Sequence, residues 1–310
     1  MIYYSKFYDF SGYQLKYRIK NNCSILGILT YLPRILRNPK YVLNENFILH
    51  PRSSYRTAKA ITRDNTDLFF SVQKLGNYSK ENLSNYIKDI ENNSEFNRQI
   101  EEKYEKFEQY LSKTNLHGMK FSKENPAGRI NGQSQGNAGN FLYLLVRSLK
   151  PDTVIETGVS SGESSSYILQ AMHDNNKGKL YSIDLPGKFT GVIKDQITIG
   201  PEGESPSGWA IPEYLRDRWE LNLGTSEKLL LPLLKKLEKI DIFFHDSLHT
   251  YDHMFFEYTT SWDFIKKNGV LISDDIATMN GKGHSPLVDF ACNKKLELAI
   301  YYMIGGLKKH

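Results

Sequence analysis

Two groups of residues in this sequence have types and spacings that can do chemistry. The first is Val154-Ile-Glu-Thr-Gly-Val-Ser-Ser-Gly162, in which an apolar run meets a glycine-rich turn ahead of a helix-forming segment. Glycines at a strand-to-helix turn let backbone approach a ligand closely, and the helix amino terminus offers free N–H groups. Glu156 stands at the end of the apolar run, two residues before Gly158 and six before Gly162, where a carboxylate suits an ammonium group such as that of S-adenosylmethionine (SAM). A pyrophosphate would gain nothing from an acid there, and Ser160 replaces the middle glycine of a dinucleotide turn. Asp184, 22 residues past Gly162, ends the next apolar run, where a carboxylate can accept both hydroxyls of an adenosine ribose. The alternative for Asp184 is a turn acid before Pro186. Ser226 opens a further helix and is either an adenine contact or a helix cap.

The second group is acidic. Asp246 follows the run Ile240 to His245, and the pair Asp274-Asp275 follows Val270 to Ser273. If both runs are strands of one parallel sheet, the three carboxylates open on the same edge as the glycine turn. Converging carboxylates repel unless protonated or bound to a cation, and oxygen-only ligands suit Mg²⁺ or a similar hard ion. The alternative is acids that cap helices or accept backbone amides. His249 lies three residues beyond Asp246, and an imidazole there can act as a general base near neutral pH. Of its neighbours, His245 is expected to be a satisfied core residue and His253 to begin a helix.

These residues need a scaffold, and from Thr153 onward the chain supplies one. Strands are expected at Thr153–Glu156, Lys179–Asp184, Trp219–Leu223, Ile240–His245 and Val270–Ser273, with helices at Ser164–His173, Glu227–Leu237 and Met254–Lys267 between them. Strands alternating with helices make an α/β, doubly wound and mostly parallel sheet covered on both faces. Leu296–Met303 and Ile304–Lys309 are expected to close it as an edge hairpin, giving a seven-stranded Rossmann-like sheet. Upstream, Leu83, Tyr86, Ile87 and Ile90 repeat at helical spacing, as do Ile100, Tyr104, Phe107 and Leu111. The expected organisation is a partly helical extension over 1–125, a Gly-rich loop or hinge over 126–140, and the main domain over 141–310. The hinge is either a plain linker or a lid. In the long insert between Pro186 and Arg218, Trp209 either stacks on a ring or anchors the loop.

VIETGVSSGESSSYIL, the strand ending in Asp184, IPEYLRDRWELNLG, IDIFFHDSLHTYDHMFFEY and GVLISDDI together resemble a family of class I SAM-dependent methyltransferases. That family includes O-methyltransferases acting on macrolide sugars and is distantly related in site layout to catechol O-methyltransferase. The resemblance covers roughly residues 141–310. It implies SAM as cofactor, held by Glu156, Gly158, Gly162, Asp184 and Ser226. It also implies a divalent metal such as Mg²⁺ on Asp246, Asp274 and Asp275, with His249 as the base that deprotonates a hydroxyl of a small molecule or glycan. The rival readings are a nicotinamide-dependent oxidoreductase on the same fold and a non-catalytic binding module. The acids at Glu156 and after the fourth and fifth strands weigh against both.

Composition bounds the rest. Cys23 and Cys292 cannot build a disulfide framework, so a reducing, cytoplasmic compartment is expected. The net charge is +5, yet the first 60 residues carry ten Lys or Arg against Asp9 and Glu45. That basic segment is expected to be a solvated surface, with weak contact to an anionic membrane as the alternative. No nucleic-acid partner is expected, and a homo-oligomer is compatible with the sequence.

Overall fold

A computed structural model describes residues 67–76, 78–113, 135–186, 192–193, 196–197, 207–276 and 285–310. The basic segment, Cys23 and residues 126–134 of the expected hinge lie outside the described residues. In chain order the elements are α1 (Leu68–Leu75), α2 (Lys80–Glu91), α3 (Ser94–Lys113), α4 (Gln135–Leu149), β1 (Thr153–Thr157), α5 (Glu163–Asp174) and β2 (Lys179–Asp184). There follow a 3₁₀ turn at Glu213–Arg218, β3 (Trp219–Leu223), α6 (Ser226–Leu237), β4 (Ile240–His245), α7 (Tyr251–Trp262), β5 (Ile265–Ser273), α8 (Pro286–Lys294), β6 (Leu298–Tyr301) and β7 (Ile304–Lys308). A two-residue ribbon pairs Val192–Ile193 with Gln196–Ile197 inside the insert.

The main sheet has seven strands in the order β3-β2-β1-β4-β5-β7-β6, and β7 alone runs against the others. This is the mostly parallel α/β sheet expected from the sequence. Alternate strand residues feed two cores. Val154, Ile242, Phe244, Val270 and Ile272 face α1 to α5, whereas Ile155, Phe243 and Leu271 face α6 to α8. Strands buried on both faces read as unbroken apolar runs, which is why the periodicity of two is hidden. Each large side chain fully removed from water, such as Phe141, Phe243 or Phe244, contributes about 1.5–3 kcal/mol.

The helical extension belongs to this architecture. Leu83, Ile90, Phe96, Ile100 and Tyr104 are buried in the first core, against α4 and α5. Leu75 of α1 lies in the same core and touches the space beside Gly306 of β7. The side chains of Phe107 and Leu111 lie outside the described residues. Two boundaries differ from expectation. α4 begins at Gln135, inside the glycine- and asparagine-rich stretch read as hinge. β5 begins at Ile265, not Val270, because the polar Lys266-Lys267-Asn268 stretch continues the strand through an irregularity opposite Ile240 and Ile242. As a result α7 ends at Trp262 rather than Lys267. Among the described residues no helix is long and apolar enough to cross a membrane.

Candidate active site

Register brings the candidate residues to one edge. Thr157 of β1 pairs with Ile183 of β2 and with His245 of β4, and His245 pairs with Ser273 of β5. The ladder runs one step further through backbone bonds: Gly158 N–H to Ile183 (2.9 Å), Asp246 N–H to Thr157 (2.8 Å) and Asp274 N–H to His245 (2.9 Å). Asp184, the glycine turn, Asp246 and Asp274 therefore stand in one row along the carboxyl ends of four adjacent strands. This is the crevice where open α/β sheets bind ligands.

In the turn, Gly158, Ser160 and Gly162 all adopt positive φ (81°, 51° and 88°). The glycines are required by the protein's own packing. A Cβ on Gly158 would sit 1.9 Å from the carbonyl oxygen of Asp246, and one on Gly162 would meet Ile211 and the backbone of Gly208. The end of the insert is thus bonded onto the turn, with Gly208 N–H to Ser160 and Ala210 N–H to Ser161, both 2.8 Å. Trp209 is buried, and its ring meets that of Tyr104 from α3 edge-on at 5.1 Å. Of its two expected roles, Trp209 takes that of anchor. The Tyr104 hydroxyl donates to Glu163 (2.8 Å) in the first turn of α5 and lies 3.1 Å from Ser161. The extension therefore braces the turn directly, a contact that residue types alone did not reveal.

Glu156 is fully buried on the first-core side of the sheet. Its carboxylate accepts hydroxyls from Ser164 (2.9 Å), Ser165 (2.6 Å) and Ser182 (2.8 Å), and Ser182 in turn accepts the Trp219 indole N–H. Burial outweighs these three donors and pushes the acid up to about 7. A carboxylate offers about four acceptor positions, so room for one further donor remains, and a cation there would favour the ionised form. Asp184 accepts backbone N–H groups from Leu185 (2.8 Å) and Ser160 (3.1 Å). Its pKa is also raised by burial. Ser226 opens α6, but the cap is Thr225, and the Ser226 hydroxyl pairs with His253 at 3.1 Å. The capping alternative is thereby displaced.

On the other side of the glycine turn, His249 stands between two acids. Its Nε2 lies 3.5 Å from Asp246 and its Nδ1 lies 3.3 Å from Asp275, with all three side chains partly exposed. Burial works against the imidazolium, but Asp246, Asp275 and Asp274 overcome it and lift His249 to about 9. Asp274 is raised well above the usual carboxylate range, by burial first and then by Asp246 and Asp275. Asp275 adopts φ 51°, a strained conformation for a non-glycine at a strand end. The three acids have the hard-oxygen chemistry of a Mg²⁺ site. Among the described residues, however, no three His, Cys, Asp or Glu side chains are arranged to hold a metal ion. The centre between Asp246 and Asp275 is taken by an imidazole. The expected metal set is brought together as a cluster, but not as a coordination sphere.

His245 and His253 lead to a residue the sequence reading missed. Glu257 of α7 is fully buried on the second-core side. It accepts the Thr157 hydroxyl (2.5 Å) and His245 Nδ1–H (2.6 Å) on one oxygen, and the Ser247 hydroxyl and His253 Nε2–H (both 2.9 Å) on the other. His253 is the third residue of α7, and its Nδ1 faces Glu227 at 3.2 Å. His245 is only half satisfied, because among the described residues its buried Nε2 has no partner. The available signal was a lone acid on the helix face Met254, Glu257, Tyr258, Ser261, a stripe otherwise suited to the core.

Residues 155–276 match the family model described as a methyltransferase domain. The resemblance read from the sequence holds over this segment. No curated protein matches the chain. Among solved structures, the methyltransferase PaMTH1 of Podospora anserina, bound to S-adenosylhomocysteine (SAH), is similar at 15% identity, covering 68% of this chain and 88% of that one with a TM-score of 0.45. An O-methyltransferase from Bacillus cereus in complex with SAH is similar at 14% identity, covering 67% and 91%, with a TM-score of 0.41. MycE, a methyltransferase of the mycinamycin pathway solved with Mg, SAH and mycinamycin VI, is 14% identical over 51% of this chain and 45% of that chain, with a TM-score of 0.37.

Proposed function

We propose, supported by the match of residues 155–276 to a methyltransferase-domain family model, that the chain transfers the methyl group of SAM to a hydroxyl oxygen of a small molecule or glycan. The observation that carries this reading is the single row of strand ends. It runs from Asp184 through the glycine turn to Asp246, with His249 between Asp246 and Asp275. A nucleoside whose ribose hydroxyls meet Asp184 would lie across the turn. Its amino-acid end would then be near Glu156, and its sulfonium would face the acid–histidine cluster.

In the reaction, the acceptor oxygen forms its bond to the methyl carbon as the S–CH₃ bond breaks, and SAH departs neutral at sulfur. The hydroxyl proton goes to the His249 imidazole when that ring is neutral. Asp246 and Asp275 fix the ring and stabilise the imidazolium that results. Holding the two reactants in line supplies a further part of the acceleration. The expected divalent ion does not fit the present arrangement of side chains, so no step is routed through it. A reducing, cytoplasmic setting is part of this proposal, on the ground of two isolated cysteines.

The test is incubation of the full chain with methyl-labelled SAM and a panel of vicinal-diol acceptors, both sugars and catechols, with and without Mg²⁺. Acceptor-dependent SAH formation that disappears in Asp184→Ala supports the reading. Label recovered on nitrogen or carbon, or hydride transfer from a nicotinamide cofactor, refutes it.

A further inference from the structure

Two buried carboxylates flank the ends of β1 and β4, one on each face of the sheet. Glu156 serves the first-core face and takes hydroxyls from α5 and β2. Glu257 serves the second-core face, and its four donors come from four places: Thr157 at the end of β1, His245 at the end of β4, Ser247 in the loop after β4, and His253 in the first turn of α7. Both carboxylate oxygens carry two donors, so its acceptor positions are filled from within the protein. The loop it grips, 246–250, bears Asp246 and His249.

We infer that Glu257 is the positioning residue of the acceptor side, holding the loop that carries Asp246 and His249 in register with the cofactor turn. The inference rests on the reading of His249 given above. Three observations converge on it. Ser247 donates its hydroxyl to Glu257 at 2.9 Å and lies 3.2 Å from His253 Nε2, which bonds the same carboxylate oxygen, so the residue after Asp246 is held by Glu257. Glu257, an acceptor only when ionised, receives the proton of His245 Nδ1, which fixes the orientation of that ring. The His245 ring then meets the His249 ring edge-on at 5.4 Å, so the orientation of the first ring bears on that of the second. Glu257 touches neither Asp246 nor His249 in any of these bonds and acts through Ser247 and His245.

The role differs from simple packing in a measurable way. A glutamine at 257 has the shape of glutamate, but offers one acceptor oxygen and sets an NH₂ group against donors. Histidine-labelled full-length protein would be followed by imidazole nitrogen NMR, with SAH affinity measured by calorimetry on the same samples. In Glu257→Gln, the His245 and His249 ring signals are expected to move, and the Kd for SAH rises as well, because the carboxylate also accepts the hydroxyl of Thr157 beside Gly158. Met254→Ala, which removes apolar packing from the same helix and no polar contact, is expected to leave the His249 signals in place. If Glu257→Gln does not fold, Thr157→Val and His253→Gln each remove one donor to the carboxylate and are expected to move the His245 signals in smaller steps. Unchanged His249 signals in Glu257→Gln, or an equal displacement in Met254→Ala, overturn the inference. Failure of the parent protein to bind SAH would instead count against the cofactor reading, and the NMR comparison would still decide the role of Glu257.

Discussion

Gly158 and Asp246 meet backbone to backbone, so closely that a Cβ on the first would lie 1.9 Å from the carbonyl oxygen of the second. The turn that faces the cofactor and the loop that carries the acids are therefore one packed unit. Gly158→Ala must force a left-handed φ on alanine and push the two segments apart. Together these cost about 2–5 kcal/mol of stability, and the displaced turn should also weaken SAH binding. Urea unfolding and calorimetry on the variant check both effects. An alanine variant of parental stability would mean that the turn is not packed as described.

If the ammonium of SAM meets Glu156 as proposed, binding removes a proton from that acid. Its carboxyl is pushed up to about 7 by burial, whereas a bound ammonium favours the ionised form. Near pH 6.5, binding of SAM or SAH is therefore expected to release protons. Calorimetric titration in buffers of different ionisation enthalpy measures that number directly. In Glu156→Gln the released fraction should vanish and affinity should fall. Proton uptake on binding would have the wrong sign for this arrangement.

The same raised groups shape the stability of the ligand-free protein. Glu156 rises from 4.5 to about 7 and His249 from 6.5 to about 9. Each holds in the folded state a proton that the unfolded chain would release, so its contribution is complete below the unfolded value and lost as pH rises through the folded one. Glu257 is lowered, burial being overcome by His245 and His253, so its contribution is lost on acidification below 4.5. Melting temperature should be highest near pH 5 and fall continuously toward pH 9. Glu156→Gln should flatten the part of that fall between pH 4.5 and 7.

Much of this was legible before any coordinates. Val154-Ile155, Ile242-Phe243-Phe244 and Val270-Leu271-Ile272 are short apolar runs, as strands buried on both faces must be. An acid within two residues after each run marked the carboxyl edge. What was hidden depends on partners distant in sequence. Glu257 meets Thr157 across 100 residues, and nothing local to α7 names that partner. Tyr104 looked like one more apolar position of an amphipathic helix, yet its hydroxyl braces the cofactor turn. The polar Lys266-Lys267-Asn268 stretch masked the start of β5 because those residues lie at the irregular end of the strand, where two of them are exposed. Gly and Asn near 135–140 pointed to a loop, but Phe141 to Val146 behind them supplies a fully buried face that carries the helix forward.

The elevated imidazole sets the pH dependence of turnover. His249 between Asp246 and Asp275 keeps its proton to about 9, so only a minor fraction is ready to accept one near neutrality. With an acceptor identified by the panel above, kcat/KM should rise with pH, reach half its limit near 9 and level off above that. His249→Gln should lose that limb and fall by roughly 10²–10⁴-fold. In Asp275→Asn the limb should move to lower pH, since one of the charges lifting the imidazole is gone. His249 interacts strongly with Asp274 and Asp275, so the limb reports that group rather than one residue.

The central claim is that the row from Asp184 to Asp246 holds SAM. It is tested most directly by calorimetric titration of the full chain with SAH, with NAD as the comparison and Asp184→Ala as the control. The account expects saturable binding of SAH with a Kd on the order of micromolar, lost in Asp184→Ala, and no heat from NAD. Binding of NAD in place of SAH, or SAH affinity unchanged by Asp184→Ala, would contradict it.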